Sequence, residues 1–597
     1  MPHIDRLAAL RTAMHLHRLD AYFHPHTDPH QSEYLCDHWQ IMPWLTGFTG
    51  SAGTVVVTGD FAGVWTDSRY FLQAEEELAG TGFELVRLQV PHTPEYIGWL
   101  HDHLPTGARV GYDPRLMSLA RYRHLAQALA DKAVEWVAVA DLPTGTWTDR
   151  PALPSAPVFE HDARYAGQSR TDKLAHLRTQ MQTQGLDACL LTSLDDIAWL
   201  LNIRGSDVPY NPVALAFVWL DMEAVLLFVG AEKVAPSLRA DLAAAGVELR
   251  PYDSLAAHLA TLSPTQTVLA DPSKLATYLF DALPAGVSLR EGPHLTTALK
   301  AQKNDTELAH LRSTMIKDGV ALVRLLYWLD QQLQGLAPIT ELSVEAQLEH
   351  FRQAQPDYVG PSFRTISAYQ AHGAIVHYAA TEASDMPLEP DGIFLLDSGG
   401  QYPDGTTDIT RTIAIGSPTP TQCRDFTLVL KGHIALARAV FPAGTRAYQL
   451  DTLARSPLWQ AGFNFGHGTG HGVGFFLSVH EGPQSIGSSA SGNSTTVMLP
   501  GMVTSNEPGL YHAGRYGIRI ENLVLCVLHT VSDAFGPFYA FETLSLCPID
   551  LRLVQRDLLS PDERAWLNQY HAQVYARLAP QLSSGERAWL STQTQPI

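Results

Sequence analysis

Two pairs of acidic residues are spaced so that each pair flanks a short turn between strand-like segments. Asp397 and Asp408 enclose a turn predicted to be centred near residues 402–403. Glu507 and Glu521 enclose a second turn. Apolar β-type segments beside Gly-rich turns are typical of antiparallel hairpins, which place the two members of each pair side by side. The spacing therefore predicts four neighbouring carboxylates, which repel one another unless they are protonated or bind cations.

A glycine-rich segment between the two predicted hairpins, residues 465–474, offers a nitrogen ligand. Its histidines, His467 and His471, are four residues apart, but the glycines between them exclude a stable helix. The segment is therefore not a helical HExxH zinc motif. A loop or strand that approaches a crowded centre closely is the expected structure. His377 and His480 occur in the same part of the chain.

Each acidic residue also has a simpler explanation, because aspartate and glutamate often cap turns or face solvent. For Asp404, inside the first predicted turn, we expect this simpler role. Asp397 differs because it follows the apolar segment 393–396, and a buried carboxylate needs a cation or strong donors to stay ionised. Glu521 shares one face of an otherwise apolar strand with Arg519, which favours the lining of a site over a core.

The charge and the donor atoms of this set indicate a pair of divalent metal ions. Four carboxylates and one neutral imidazole carry four negative charges, which two divalent cations would balance. Oxygen donors with one nitrogen and no thiolate favour Mn²⁺, Co²⁺, Zn²⁺ or Fe²⁺. Two such ions lower the pKa of a water molecule between them and stabilise a tetrahedral intermediate. The predicted reaction class is hydrolysis.

The part of the chain before these motifs shows signs of a duplication. Two helical patterns repeat at one constant offset, with apolar positions Leu7, Leu10 and Met14, then Leu174, Leu177 and Met181. A short β-type segment follows each pattern, at 54–58 and at 225–229. Alternating helices and strands predict α/β domains with mixed sheets. The alternative is a coincidence of leucine positions.

Two features predict the domain boundaries. The Pro-rich segment 150–157 has the composition of a linker between the two copies. Asn304 and Glu307 have the spacing of an N-cap and its N3 partner, which predicts the start of a helix. The candidate chemistry lies after this point. The expected domains are 1–158, 159–303 and 304–597.

Composition excludes several classes of protein. The 597 residues include 17% charged and 45% hydrophobic residues, which is a globular composition. A net charge of −20 argues against nucleic acid or an anionic membrane as a partner. No segment approaches the roughly 20 apolar residues of a membrane span, and we expect no signal peptide. Five cysteines without a CxxC pair predict reduced thiols in a cytoplasmic protein.

These motifs, in this order, closely resemble the creatinase/aminopeptidase "pita-bread" family. Within this family the chain is most similar to the three-domain Xaa-Pro aminopeptidases (aminopeptidase P). The resemblance extends over essentially the whole chain. The acidic and histidine motifs are its specific part, and the flanking segments that choose the subfamily are 28–34, 48–54, 65–71, 202–209 and 566–571.

The resemblance implies an α/β (α+β) fold, with two creatinase-like N-terminal domains that contain mixed sheets and a pita-bread catalytic domain. It implies two divalent metal ions, most often Mn²⁺, with Zn²⁺ or Co²⁺ as alternatives. The ligands that it implies are Asp397, Asp408, His471, Glu507 and Glu521. Asp397 would bind one ion, and His471 with Glu507 the other, while Asp408 and Glu521 would bridge the two.

The resemblance also implies roles around the metal ions. Glu507 would act as general base. The substrate-side histidines, which would orient the amide, stabilise its oxyanion and move a proton, would be His377, His467 and His480. Tyr511 and Arg519 would line the proline side of the site.

The implied function is that of a cytoplasmic aminopeptidase, commonly dimeric, that removes an N-terminal residue when proline follows it. One alternative is a prolidase, which cleaves only Xaa-Pro dipeptides. The duplicated N-terminal half and the length of the chain favour the aminopeptidase. A second alternative is a pita-bread binding module with a decayed metal site. The five intact ligand positions argue against it, and equally against creatinase-like hydrolysis without metal.

Overall fold

The computed structural model describes residues 1–89, 93–335 and 338–597. The chain divides into two compact units, of which the first comprises 1–163 and 168–297 and the second 164–167 and 298–597. Within the described residues, no helix has both the length and the apolar character that crossing a membrane requires.

The first unit contains two six-stranded sheets with the same topology. The strands up to residue 297 are β1 (Ala21–Pro25), β2 (Thr54–Thr58), β3 (Ala62–Thr66), β4 (Glu84–Arg87), β5 (Arg109–Tyr112), β6 (Glu135–Ala138), β7 (Phe159–Glu160), β8 (Ala188–Leu191), β9 (Ile203–Arg204), β10 (Phe217–Asp221), β11 (Val225–Phe228), β12 (Val247–Arg250), β13 (Thr267–Ala270) and β14 (Ser288–Glu291). The strand orders are β4-β3-β2-β1-β5-β6 and β12-β11-β10-β8-β13-β14. β1 and β8 each pair antiparallel with one neighbour and parallel with the other, so both sheets are mixed, as predicted.

Corresponding helices precede the two sheets. The helices up to residue 301 are α1 (His3–Leu16), α2 (Ile41–Thr46), α3 (Phe71–Glu77), α4 (Tyr96–His103), α5 (Leu119–Ala128), α6 (Ala163–Ala166), α7 (Arg170–Gln184), α8 (Leu194–Leu201), α9 (Pro236–Ala244), α10 (Leu255–Leu259), α11 (Thr277–Asp281) and α12 (Leu295–Ala301). Both α1 and α7 bury the three apolar residues of the repeated pattern. Residues 151–157, between the two sheets, have no regular secondary structure.

The second unit contains several small antiparallel sheets and long helices. Its strands are β15 (Gly360–Pro361), β16 (Ile366–Tyr369), β17 (Gly392–Ser398), β18 (Gly400–Tyr402), β19 (Gly405–Thr406), β20 (Ile409–Ile415), β21 (Val440–Pro442), β22 (Gly470–His471), β23 (Ser485–Ile486), β24 (Val503–Asn506), β25 (Gly509–His512), β26 (Tyr516–Arg519), β27 (Asn522–Ser532) and β28 (Gly536–Thr543). Its main helices are α13 (Asp305–Gln332), α14 (Glu341–Gln353), α15 (Pro420–Ala437), α16 (Ala447–Gln460), α17 (Pro561–Leu578) and α18 (Ser584–Gln593). The orders of the larger sheets are β16-β17-β20, β15-β18-β19 and β21-β28-β27-β24.

Helix α13 begins where the sequence predicted. The Asn304 side chain accepts hydrogen bonds from the backbone N–H groups of Thr306 and Glu307, and the Glu307 carboxylate accepts one from the Asn304 N–H. This capping box satisfies N–H groups that have no partner inside the helix. Leu311 and Met315, which are four residues apart on one face of this helix, are buried.

Helix α15 fixes the orientation of the strands that carry the second acidic pair. Four of its buried apolar side chains lie in one core cluster with Ile518 and Ile520. Because alternate residues of an extended chain point to opposite sides, Arg519 and Glu521 point away from this core. The predicted polar face of this strand is thereby confirmed.

Candidate metal centre

Glu507 and Glu521 occupy corresponding positions between two antiparallel ladders that share one register. Glu507 lies between β24 and β25, and Glu521 lies between β26 and β27. The paired residues on either side of them are Asn506 with Asn522 and Gly509 with Arg519. Gly514 occupies the turn with φ of +70°, a conformation that glycine adopts without strain. The predicted arrangement of this acidic pair is confirmed.

The register of the aspartate hairpin differs from the prediction by one step. Tyr402 pairs with Gly405 across a two-residue turn, so the turn is centred one residue later than predicted. Asp397 consequently lies opposite Thr410, and Asp408 immediately precedes β20. The prediction that Asp397 and Asp408 lie directly opposite each other is therefore wrong. They are diagonal neighbours, which still belong to the same face of the sheet.

Asp404, in this turn, does not have the solvated role that the sequence suggested. It is buried, and its carboxylate accepts two hydrogen bonds from Lys317 Nζ at 2.7 and 2.8 Å. Its backbone carbonyl accepts a hydrogen bond from Thr314 Oγ1 at 2.8 Å. Both partners belong to α13, so Asp404 fastens the turn to this helix.

The structure brings side chains from both acidic pairs together around one histidine. Asp408, His471 and Glu521 each offer one ligand atom, and these three atoms lie within 4.8 Å of one another. His471 Nε2 is 3.4 Å from Asp408 Oδ2 and 3.4 Å from Glu507 Oε1. His471 Nδ1 lies 3.1 Å from the carbonyl oxygen of Gly472, which only accepts hydrogen bonds. In the neutral ring, Nε2 is therefore the atom with a free lone pair toward the carboxylates.

Asp397 connects this cluster to Arg519. Its Oδ2 accepts a hydrogen bond from Arg519 Nη2 at 2.6 Å, whereas its Oδ1 is buried without a hydrogen-bond partner. Arg519 Nη1 donates to the Tyr511 hydroxyl at 2.7 Å, and this hydroxyl lies 2.8 Å from His467 Nε2. Arg519 Nη2 also donates to the carbonyl of Val376 at 3.3 Å. Arg519, Tyr511 and His467 thus form a continuous polar chain beside the carboxylates.

The two remaining candidate histidines lie on segments that reach the same region. The rings of His480 and His471 are 4.3 Å apart, centroid to centroid, and nearly perpendicular. His377 directly follows Val376, whose carbonyl accepts the hydrogen bond from Arg519. His377 and His480 are both half-buried.

Burial and mutual repulsion make the carboxylates reluctant to ionise. Burial raises the pKa of Asp397 to about 6, although the charge of Arg519 opposes this shift and that of Asp408 adds to it. Burial also raises the pKa of Glu507. The pKa of Glu521 lies well above its ordinary value because of burial and then the charge of Asp408. Without added positive charge, this group therefore retains protons.

His471 shows the complementary effect. Burial lowers its pKa, but the hydrogen bond to Asp408 and the charge of Glu507 outweigh burial and raise the pKa to about 9. The raised pKa values of the carboxylates and the raised pKa of His471 both reflect a deficit of positive charge in the cluster. The partnerless Oδ1 of Asp397 points to the same deficit. Four carboxylates and one imidazole without a thiolate therefore fit a pair of divalent cations.

Two side chains that the sequence analysis did not name form hydrogen bonds with the cluster. Thr410 Oγ1 donates to Glu521 Oε2 at 2.8 Å and accepts from Arg519 Nε at 3.2 Å. Ser505 Oγ donates to Glu507 Oε1 at 3.1 Å. Each lies two residues along the chain from an acidic residue of the cluster. The two-residue period of a β-strand was therefore the signal that could have found them.

Comparisons with known proteins agree with this geometry. The family model described as metallopeptidase family M24 matches residues 309–527, and the C-terminal region of peptidase M24 matches 537–597. Two models described as the creatinase/prolidase N-terminal domain match residues 6–142 and 149–307.

Relatives match along nearly the full length of the chain. The chain is 40% identical to aminopeptidase P2 of Arabidopsis thaliana, over 97% of this chain and 86% of the relative. It is also 40% identical to a probable Xaa-Pro aminopeptidase P of Laccaria bicolor, over 99% and 93% of the two chains.

A solved structure has the same fold as this chain, in the fold class that the sequence predicted. It is the X-prolyl aminopeptidase of Caenorhabditis elegans, described as a cytosolic enzyme with a di-nuclear active site. The TM-score is 0.96 with 36% identity, and the match covers 100% of both chains. The predicted α/β architecture, with creatinase-type N-terminal domains before a pita-bread domain, is confirmed. The chain therefore belongs to the aminopeptidase P branch of metallopeptidase family M24.

Proposed function

We propose that this chain is a dinuclear Xaa-Pro aminopeptidase, which hydrolyses the bond between an N-terminal residue and a penultimate proline. One observation carries the proposal: three buried carboxylates, the half-buried Glu507 and His471 converge beside the chain of Arg519, Tyr511 and His467. Such convergence is expensive unless cations bind. The names of the two relatives and of the nematode enzyme support the same activity.

We assign the metal ligands as the sequence analysis did. Asp397 would hold one ion and His471 with Glu507 the other, while Asp408 and Glu521 would serve both. We propose Mn²⁺ as the ion, with Zn²⁺ or Co²⁺ as alternatives, because the donor set contains mostly carboxylate oxygens. When bound, two such ions polarise the scissile carbonyl and lower the pKa of a water molecule.

Side chains of the protein then take up and release the protons of the reaction. Glu507 is the proposed general base, and its Oε1 is oriented by the Ser505 hydroxyl. A pKa raised by burial suits a group that must take up a proton and release it again. The released proton is needed at the proline nitrogen, because a tertiary amide has no N–H before it leaves. His377, His467 and His480 are the proposed groups that orient the amide and stabilise its oxyanion.

Arg519 distinguishes the aminopeptidase from a prolidase. A prolidase must capture the carboxylate that directly follows proline, and an arginine is suited to this task. Arg519 is buried and already donates hydrogen bonds to Asp397, Tyr511, Thr410 and Val376. It therefore has no pair of free N–H groups with which to bind a substrate carboxylate. This engagement favours Arg519 and Tyr511 as a wall of the proline pocket.

The experiment compares three peptides that differ in one feature each, with Mn²⁺ supplied. We expect cleavage of Xaa-Pro-Yaa between Xaa and Pro, weak cleavage of the dipeptide Xaa-Pro, and a strong drop in kcat/KM when alanine replaces proline. Preferential cleavage of the dipeptide would establish the prolidase instead. If none of the peptides is cleaved, the result would favour the alternative of a pita-bread binding module without activity.

We also propose the domain organisation, compartment and assembly that the sequence suggested. The nematode enzyme is described as cytosolic, which supports a cytoplasmic location. We expect a homodimer, which analytical ultracentrifugation would detect as twice the chain mass. Limited proteolysis tests the boundaries, since cuts should concentrate between the proposed domains. These domains are 1–158, 159–303 and 304–597.

A further inference from the structure

His433 is a fully buried histidine on α15 that no part of the proposed chemistry uses. Its Nδ1 lies 3.1 Å from the carbonyl oxygen of Asn506, and its Nε2 lies 3.1 Å from Nδ2 of Asn522. In return, Asn506 Nδ2 donates to the backbone carbonyl of His433 at 2.9 Å. The imidazole therefore joins two strands, β24 and β27, through one hydrogen bond to each.

The two asparagines occupy special positions beside the acidic pair. Asn506 and Asn522 lie opposite each other in the ladder. Asn506 directly precedes Glu507, and Asn522 directly follows Glu521. Because neighbouring residues of an extended chain point to opposite sides, the asparagines face α15 while the glutamates face the metal centre. A group that fixes the asparagines therefore also fixes the two glutamates.

A buried arginine extends this network to the backbone of Glu521. Arg411 Nη2 donates to Asn522 Oδ1 at 2.8 Å, and Arg411 Nη1 donates to the carbonyl of Glu521 at 2.7 Å. Arg411 Nη1 also donates to the carbonyl of Thr410 at 2.8 Å. Asn522 thus forms hydrogen bonds with both His433 and Arg411, and Arg411 in turn donates to the backbone carbonyl of Glu521.

The chemistry of the ring matches its two partners. The Asn506 carbonyl needs a donor and the Asn522 amide nitrogen needs an acceptor, which only a neutral imidazole with its proton on Nδ1 provides. Burial, followed by the charge of Arg411, lowers the pKa of His433 to about 3, so that the ring is neutral at physiological pH.

We propose that His433 is a positioning residue that sets the spacing of the Glu507 and Glu521 carboxylates and thereby the affinity for the divalent ions. The inference rests on the proposed function, because it assumes that these glutamates bind metal. Side chains that orient metal ligands from outside typically change metal affinity about 10–100-fold when they are removed.

The test measures metal affinity rather than activity. Metal-free protein is titrated calorimetrically with Mn²⁺ in the wild type and in His433→Phe, which keeps a ring but removes both hydrogen bonds. We expect dissociation constants about 10–100-fold weaker in His433→Phe. His433→Gln retains one donor and one acceptor with a different reach, so its loss should be smaller. This variant also serves if His433→Phe does not fold.

Thr427→Val is the matched control on the same helix. Thr427 is buried, and its hydroxyl donates to the carbonyl of Cys423 at 2.7 Å and accepts from the Gln555 N–H at 2.9 Å. The control thus also loses the hydrogen bonds of a buried side chain, a third being to the carbonyl of Leu553, but none of these partners neighbours a proposed ligand. We expect lower stability with unchanged Mn²⁺ affinity.

Each outcome has a distinct meaning. Weaker Mn²⁺ binding in both His433 variants, with wild-type binding in Thr427→Val, supports the inference. Wild-type dissociation constants in the His433 variants overturn the inference and leave the proposed function intact. Equal weakening in Thr427→Val also overturns it, because the effect would then come from general destabilisation. A wild-type protein that binds no divalent ion overturns the proposed function together with the inference.

Discussion

Replacing Glu521 by glutamine should have opposite consequences for the metal-free and the metal-bound protein. Glu521 is 1% exposed, and its Oε2 accepts a hydrogen bond from Thr410 Oγ1 at 2.8 Å, which a glutamine carbonyl oxygen can also accept. Burial and the charge of Asp408 hold the pKa of Glu521 well above its ordinary value. Glutamine mimics the protonated side chain that this environment prefers.

The sign of the effect follows from linkage between protonation and folding. The unfolded chain releases the Glu521 proton near its ordinary pKa, whereas the folded metal-free chain holds it to higher pH. The metal-free wild type therefore loses stability as pH rises above the ordinary glutamate pKa. Glu521→Gln removes this loss, so at pH 8 the metal-free variant should be at least as stable as the wild type. Bound ions reverse the order, because a ligand at 100 times its dissociation constant stabilises a protein by about 2.7 kcal/mol per site.

The assay is urea unfolding at pH 8, with a chelator and with Mn²⁺ titrated from below to above saturation. The wild type should gain about 2.7 kcal/mol for each ion at 100 times its dissociation constant, and Glu521→Gln should lose at least one of these gains. A variant that keeps the full stabilisation by Mn²⁺ would refute the assignment of Glu521 as a ligand. A metal-free variant several kcal/mol less stable than the wild type would refute the electrostatic argument.

Glu341→Gln provides the matched control, because Glu341 is a fully buried glutamate outside the metal cluster. Its carboxylate accepts hydrogen bonds from the backbone N–H groups of Tyr369 and Met386, from the Tyr378 hydroxyl and from His372 Nδ1. Because these partners act as donors, a glutamine would point its NH₂ group at a donor. We expect a loss of about 1.5–3 kcal/mol with and without Mn²⁺.

Further predictions concern other parts of the chain. Asp408→Asn should lower metal content and peptidase activity together, and two retained ions with normal turnover would contradict its bridging role. His480→Ala should keep both ions and lower kcat about 10²–10⁴-fold, whereas a parallel fall in metal content would make it a ligand. Asn304→Ala should cost about 1 kcal/mol of stability, measured by urea unfolding, with kcat/KM unchanged. Burial lowers the pKa of His24 and of His571 to about 4, so stability should fall as pH drops below about 6.5, where only the unfolded histidines bind protons. Each should cost about 2 kcal/mol at pH 5, and a flat stability profile between pH 7 and 5 would contradict this.

The glutamate pair could be predicted from the sequence because its geometry is set locally. Gly514 stands midway between Glu507 and Glu521, and the paired strands before and after the glutamates share one register. The alternation of Ile518 and Ile520 with Arg519 also marked the face that points to the site. Period and turn position therefore sufficed for this half of the cluster.

The aspartate hairpin shows where local reasoning fails. The same method placed its turn one residue too early, at residues 402–403 instead of 403–404. In the structure Asp404 pairs with Lys317 on α13, and this contact with a distant segment selects a two-residue turn. Because side chains alternate along a strand, the one-residue error converts a direct pair into a diagonal one and leaves Asp397 and Asp408 on the same face.

The network around His433 and Arg411 has no signal in the sequence at all. It joins α15 to strands that follow much later in the chain, and its contacts appear only when the core has packed. Arg411 also donates to the carbonyl of Cys547 and to the Tyr570 hydroxyl, which bring in the C-terminal region. Long-range contacts of this kind depend on tertiary structure, whereas the alignment of Glu507 with Glu521 depends on strand period and turn position.

The polar chain beside the cluster has a defined direction. His467 Nδ1 lies 2.7 Å from the carbonyl oxygen of Gly468, which can only accept, so in the neutral ring Nδ1 carries the proton and Nε2 accepts. The hydroxyl of Tyr511 accepts from Arg519 and must therefore donate to His467 Nε2. Burial raises the pKa of Tyr511 to about 12, so this donor proton is retained.

This direction sets a condition on catalysis. His467 Nε2 cannot donate a hydrogen bond to a substrate oxygen while the Tyr511 hydroxyl donates to it. A role in stabilising the oxyanion therefore requires a proton on Nε2, gained by protonation of His467 or by a change of tautomer, and release of the hydrogen bond from Tyr511 when the proline ring enters. Both changes occur at the wall of the proposed proline pocket, next to the guanidinium that also holds Asp397. The residues that would select proline and those that would bind metal are thus coupled through one side chain, Arg519.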